Sequence, residues 1–282
     1  MKTRIITAIV GIIVLIGVMF TFNTLIFNLV IAAITLIAIH EIYNALGFTK
    51  KDWLMYAALV PYTLLVMTSN YMVMRRLVMP VSFVLVTFYA IYLVVRNGTI
   101  SYQKASGLLV FSGIVIFCFY SFIRLKELLP VEQFGYDAVF FILLILCFAW
   151  GGDTCAYFAG RAFGKHKLCP VVSPKKTVEG AIGGMLGCTL VFAGMTVLYN
   201  RTGIWGEHEA LSVWLMIPAG LLVSVVSQLG DLAMSQLKRH FGIKDFGKLL
   251  PGHGGILDRF DSALAVSVTL LVFFMATGVK AG

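Results

Sequence analysis

Apolar runs of membrane-spanning length recur along this chain, separated by short polar connections. Nine can be drawn: Ile5–Phe22, Thr24–Leu46, Trp53–Thr68, Leu77–Val95, Ala105–Ile123, Ala138–Phe158, Gly180–Tyr199, Leu211–Leu229 and Ser262–Ala276. A hydrocarbon core of about 30 Å takes ~20 apolar helical residues to cross. The pattern therefore predicts an all-α fold, a polytopic membrane helix bundle of about nine transmembrane helices with two polar cytoplasmic loops. The third and ninth runs are short. Thr21–Thr24 leaves room only for a tight hairpin between the first two spans. No internal repeat or low-complexity segment marks a boundary. The chain divides in order into N-terminal spans, 1–137, and a C-terminal region, 138–282, that holds both long polar connections.

Composition removes the soluble alternatives. Sixty per cent of the 282 residues are hydrophobic and 12% are charged, with a mean hydropathy of +0.93. A soluble domain carries about a quarter charged residues, so this chain cannot coat a globule with solvated groups. The net charge of +9 fits basic loops against anionic headgroups. It does not indicate nucleic acid, because no basic segment is interleaved with aromatics. Lys2 and Arg4 precede a long apolar run that lacks a small-x-small cleavage pattern, which predicts a retained first span. The five cysteines form no CxxC pair and read as small buried hydrophobes.

Loop charges set the orientation. With a cytoplasmic N-terminus and nine alternating spans, the outside holds Arg75, Arg76, Arg124, Lys126, Arg201 and Lys280, leaving sixteen of the 22 basic residues inside. The positive-inside rule favours this arrangement, with Arg75-Arg76 as the discordant pair. Both long polar connections, Ala159–Glu179 and Gly230–Asp261, then face the cytoplasm, where nucleoside triphosphates are.

The richest stretch is Ser235–Asp261, SQLKRHFGIKDFGKLLPGHGGILDRFD. Lys238, Arg239, Lys244 and Lys248 are donors suited to phosphate oxygens. Pro251-Gly-His-Gly-Gly255 gives a backbone able to turn tightly and approach a ligand closely. Asp258 and Asp261 flank Arg259 at a spacing that places both on one helix face. Asp231 adds a carboxylate at the end of the preceding span, and carboxylates with substrate phosphates are what magnesium takes. Taken singly, each feature also reads as a solvated basic run, an ordinary turn or a helix-end ion pair. Their concentration in 27 residues of a charge-poor chain favours chemistry.

A second polar stretch runs from Trp150 to Glu179. Asp153 reads either as a helix-end charge or as a contact to substrate or cation. Arg161, Lys165 and Lys167, with Gly160 and Gly164, are able to wrap a triphosphate, though the spacing is not that of a Walker A loop. Ser173-Pro-Lys175-Lys176-Thr177 reads as a loop entering a helix, with Ser173 or Thr177 as its cap and exposed amides that favour an anion. His40-Glu41 reads as a satisfied helix-end pair rather than as catalytic groups. His253 is placed to hydrogen-bond a phosphate.

Ser235–Asp261 resembles the signature of the phosphatidate cytidylyltransferases, the CDP-diacylglycerol synthases. The fixed positions are met by Ser235, Lys238, Arg239, Lys244, Asp245, Gly247, Leu250, Pro251, His253, Gly254, Gly255, Asp258, Arg259 and Asp261. Gly152-Asp153-Thr154, Gly160-Arg161 and Ser173-Pro-x-Lys176-Thr177-x-Glu179-Gly180 are similar to bacterial members as well. The resemblance covers the C-terminal half; the N-terminal half is similar only in having many spans.

That resemblance implies that CTP and phosphatidic acid give CDP-diacylglycerol and pyrophosphate with a divalent metal, in a homodimer of the bacterial cytoplasmic (inner) membrane. The catalytic residues are then expected to be Asp231, Lys244, Asp258 and Asp261. The expected ligands of Mg2+, with a second cation possible, are Asp231, Asp258 and Asp261. Substrate contacts are expected from Asp153, Arg161, Ser173, Lys175, Lys176, Lys238, Arg239, His253, Gly254, Gly255 and Arg259. Competing readings are another CTP-dependent lipid enzyme, such as a polyprenol kinase, a secondary transporter, and a scaffold without chemistry. Transporters gather polar groups near the bilayer midplane within repeated halves, and this chain gathers them at one face.

Overall fold

The computed structural model describes residues 2–202 and 211–277. Its helices, in chain order, are α1 (Lys2–Phe20), α2 (Leu25–Ala45), α3 (Trp53–Met67), α4 (Met72–Val95), α5 (Tyr102–Leu128), the single-turn α6 (Val131–Phe134), α7 (Asp137–Phe163), α8 (Val178–Thr202), α9 (Val213–His240) and α10 (Leu257–Thr277). A hairpin of β1 (Lys167–Cys169) and β2 (Ser173–Thr177) joins α7 to α8. Each of the nine apolar runs falls on one of the nine longer helices. Seven of these are long and apolar enough to cross a membrane, while α1 offers the shorter apolar stretch Ile5–Phe20 and α3 has 15 residues. The protein is a multi-pass membrane protein. Lys280, assigned above to the outer side, lies outside the described residues.

The helices extend further than the apolar runs. Hydropathy ends the sixth run at Phe158, but α7 continues to Phe163; the eighth run ends at Leu229, but α9 continues to His240. The ninth begins at Leu257 rather than Ser262. Backbone hydrogen bonding continues beyond the hydrophobic stretch, so these polar ends remain helical and carry Arg161, Asp231, Lys238, Arg239, Asp258 and Asp261, while Asp153 lies within the sixth run itself.

Packing divides the chain into two units. The first comprises Met1–Arg124 and Ile243–Arg259, and the second comprises Leu125–Gly242 and Phe260–Gly282. In the first, Thr21 and Thr24 close the expected tight turn (Thr24 N to Thr21 O, 2.9 Å), and Thr24 Oγ1 caps α2 by accepting from Ile26 N. Buried Asn28 donates to Met67 O at 2.7 Å and to Asn70 Oδ1 at 2.8 Å, which ties α2 to the end of α3. A buried amide with no such partners would be costly. Tyr89 on α4 donates to Met55 O on α3 at 2.5 Å. Leu85 and Tyr89 are the buried residues of α4, and Met79, Phe83, Val84, Val94 and Val95 are exposed. Exposed apolar surface on that scale would make a soluble protein aggregate, whereas in lipid it is the solvated face.

In the second unit, α7 and α8 approach closely through small residues. A Cβ on Gly183 would collide with Ala159, and one on Gly187 with Cys155. Close backbone contact through small residues is how membrane helices associate without a hydrophobic drive between them. Phe141 packs against Phe274 with ring centroids 4.4 Å apart and Phe140 against Tyr199 at 4.6 Å, both pairs tilted, which joins α7, α8 and α10.

Candidate active site

The second unit collects acids and bases from four elements. Lys176 on β2 forms an ion pair with Asp231 on α9. Lys238, two turns further along α9, lies 3.9 Å from Asp261 on α10. Asp261 Oδ1 also accepts from Ser262 N at 2.9 Å. Asp153 on α7 and Asp231 lie close enough for their charges to act on Asp261. The four paired side chains are mostly buried, at 29% and 17% exposure for Lys176 and Asp231, and 13% and 12% for Lys238 and Asp261. Water solvates them poorly, so each carboxylate needs a cation beside it. Asp231 and Asp261 are each paired with a lysine, and their carboxylate oxygens are of the type that a hard divalent cation takes.

The hairpin that delivers Lys176 is itself fastened. Glu179, in the first turn of α8, accepts from Lys165 N at 3.0 Å, from His166 N at 3.2 Å and from His166 Nδ1 at 2.7 Å. Thr177 Oγ1 accepts from Gly180 N at 3.1 Å, so of the two proposed caps it is Thr177 that serves. Ser173 instead begins β2, paired with Cys169. Arg239 Nε donates to Val172 O at 3.4 Å, fixing the hairpin tip to α9. Lys175 is exposed, as is Arg161, which donates to Tyr157 OH at 3.4 Å.

The signature loop belongs to the first unit. Leu250 N donates to Gly254 O at 2.9 Å and His253 N to Leu250 O at 2.8 Å, closing the expected tight turn. Gly252 and Gly254 take φ values of +78° and +88°, which favour glycine. Asp258 Oδ2 accepts from Phe246 N at 2.8 Å and from Gly255 N at 3.0 Å. Lys244, Lys248 and Arg259 are exposed around this frame. The Nδ1 of His253 is buried and has no hydrogen-bond partner among the described residues.

Two features of this loop escape the sequence reading. The space beside Gly255 is filled by the carboxylate of Glu41, and that beside Gly254 by Asp258, 3.0 Å from where a Cβ would stand. Glu41 accepts from Ile256 N at 2.9 Å and from Leu257 N at 2.8 Å. The signal for Glu41 was present: an acid within an apolar span is costly and calls for a partner. Its partners are backbone amides 215 and 216 residues away, which no local pattern encodes.

Magnesium fits the donor set of the second unit. Asp231 and Asp261 offer hard oxygen ligands, and this ion usually takes one or two carboxylates and completes its octahedron with phosphates and water. Among the described residues no group of three His, Cys, Asp or Glu is gathered as a ready cage.

Across residues 2–277 the chain matches the model of the Cytidylyltransferase family. It is 46% identical over 130 residues to a phosphatidate cytidylyltransferase of Staphylococcus haemolyticus (strain JCSC1435), a stretch covering 46% of this chain and 47% of that protein. A second, from Staphylococcus saprophyticus, is 45% identical over 130 residues. In both, the chain spans about half the length of the relative. A phosphatidate cytidylyltransferase of Staphylococcus aureus (strain COL) is 33% identical over 269 residues, covering 94% of this chain and 96% of that one.

Proposed function

We propose, from the premise that the chain belongs to the cytidylyltransferase family, that it transfers the cytidylyl group of CTP to phosphatidic acid. The products are CDP-diacylglycerol and pyrophosphate, in phospholipid biosynthesis. A phosphate oxygen of phosphatidate attacks the α-phosphorus of CTP; the new P–O bond forms as the bond to the β-phosphate bridging oxygen breaks, and pyrophosphate leaves with that electron pair. The nucleophile is already an anion at neutral pH, so the obstacle is repulsion between two polyanions. The residues therefore act by positioning and by charge neutralisation.

Asp231 and Asp261 would hold magnesium, with Asp153 adding negative charge nearby. When bound, the ion neutralises triphosphate oxygens and stabilises the departing pyrophosphate. Lys176 and Lys238 neutralise these carboxylates and would turn to phosphate oxygens of the nucleotide on binding. Of the three aspartates the resemblance assigns to the metal, Asp258 is given a different task, since its Oδ2 is committed to two loop amides. Lys244, Lys248, Arg239 and Arg259 hold phosphates of either substrate, and His253 offers its ring to one. The enzyme works as a homodimer in the bacterial cytoplasmic membrane, with the N-terminus and both polar segments on the cytoplasmic side.

The observation that carries this reading is the pairing of Lys176 with Asp231 and Lys238 with Asp261, a part-buried acid–base cluster at the polar ends of spanning helices. It is tested with purified protein in detergent and labelled CTP. Pyrophosphate should be released only with both magnesium and phosphatidate, and label should appear in a lipid product. Labelling of a polyprenol but not of phosphatidate would overturn the substrate assignment.

A further inference from the structure

Glu41 is an acid in the last turns of an apolar helix, 5% exposed, and it holds the start of the last span. Its Oε1 accepts from Ile256 N and its Oε2 from Leu257 N. These amides open α10, where the first N–H groups have no acceptor within the helix and the helix dipole favours a negative charge. The loop also wraps the carboxyl group. A Cβ on Gly247 would run into it from one side and a Cβ on Gly255 from another. Neither glycine has a positive φ, unlike Gly252 and Gly254; they are glycine for room, and Glu41 fills that room.

Asp258 supplies a matching clasp inside the loop through Phe246 N and Gly255 N. Four amides, at 246, 255, 256 and 257, are thus held by two carboxylates. The residues between and beside them are Lys248, His253 and Arg259, with Lys244 just ahead. Where those cations sit is set by the path of the backbone, and that path is set by Glu41 and Asp258. A buried carboxylate is an expensive way to join two helices when apolar contacts would do. Its distinctive ability is to offer a separate, charged acceptor oxygen to each of two adjacent amides, whereas a neutral amide side chain has one acceptor oxygen and turns an NH2 donor toward the other site.

We propose that Glu41 is a positioning residue for the transfer reaction: it touches neither substrate and acts by clamping the signature loop so that its cations meet phosphate oxygens in register. This rests on the function proposed above. The decisive variant is E41Q, nearly isosteric, whose NH2 group would face one of the two amide donors. Turnover should fall about 100-fold while KM for CTP changes less than about threefold, because misplacement of about 1 Å acts mainly on the reacting geometry. Amide hydrogen exchange in detergent should quicken about tenfold or more across 243–257 and stay unchanged across 213–229. G255A retains the Glu41 side chain but pushes its carboxyl off the two amides, and should show the same split should E41Q fail to fold.

Turnover within twofold of wild type in E41Q would overturn the proposal, as would exchange that quickens uniformly over the whole chain, the mark of a merely structural residue. If the unmodified protein itself released no pyrophosphate from CTP and phosphatidate, the proposed function would fall, and the exchange comparison alone would decide whether Glu41 clamps the loop.

Discussion

Lys176 and Asp231 form an ion pair between a short β-hairpin and the polar end of a spanning helix, 55 residues apart in sequence. The lysine is 29% exposed and the aspartate 17%, so each depends on the other for charge compensation. In the proposed reaction the lysine changes partner when CTP and its ion arrive. K176A should then lower turnover roughly 100-fold, the usual loss on removing one donor aimed at developing charge. K176R should preserve the pair and the fold but recover little of the activity, since its planar fork does not reproduce a compact ammonium. Pyrophosphate release at saturating CTP reads both, and full activity in K176A would leave the lysine a structural counterion only.

Asp261 shares Lys238 and Ser262 N as partners and feels the charges of Asp231 and Asp153. D261N keeps the side chain's shape and an oxygen acceptor but removes one negative charge. Turnover should drop by about three orders of magnitude or more, in line with loss of a metal site central to the charge balance. The magnesium concentration giving half-maximal rate should rise in the residual activity. A D261N protein with an unchanged magnesium dependence would remove Asp261 from the metal site.

Much of this arrangement was readable from residue order alone. Nine apolar runs gave nine helices, because lipid-spanning segments must satisfy their backbone internally and little else in a sequence does so. The glycine-rich turn at 251–254 was readable because positive φ leaves a local trace. The helix ends were not: Asp231 and Lys238 continue α9 after hydropathy has fallen, and composition marks the end of hydrocarbon rather than the end of the helix. Glu41 was least readable. A sequence shows only that an acid in an apolar span wants a partner, and its near neighbour His40 offered a local answer. The amides that satisfy it belong to a segment more than 200 residues away, and backbone donors carry no residue signature. Gly255 was ambiguous for a related reason: room for a ligand and room for the protein's own carboxylate look alike.

The glycines of α8 divide into those that permit helix contact and those that do not. A Cβ on Gly183 would strike Ala159, whereas one on Gly194 meets nothing within 4 Å. G183A should destabilise the detergent-solubilised protein by about 1–3 kcal/mol, the range for overpacking a tight contact. G194A should be neutral or slightly stabilising, since it removes backbone freedom without adding a clash. Thermal unfolding of the two variants side by side checks this, and equal behaviour would mean that α7 and α8 are not in close contact.

Asp52 gives a pH dependence whose sign can be worked out. Burial works against its ionisation, but hydrogen bonds from the Thr49 hydroxyl (2.8 Å) and amide (3.3 Å), together with Arg96 at 3.2 Å, outweigh it and hold the carboxyl below its ordinary range. A carboxyl depressed in the folded state adds stability that is fully present above the unfolded-state value of about 3.9. That stability is lost as pH falls through the lower folded value, where both states become protonated. At neutral pH, D52N should cost about 1 kcal/mol, the usual worth of a capping side chain. Below pH ~4 the gap between D52N and wild type should close, because the wild-type side chain is then neutral as well. Unfolding temperatures of both proteins across that range test the sign, and a gap that widened toward acid would show that Asp52 is not held as an anion by Thr49 and Arg96.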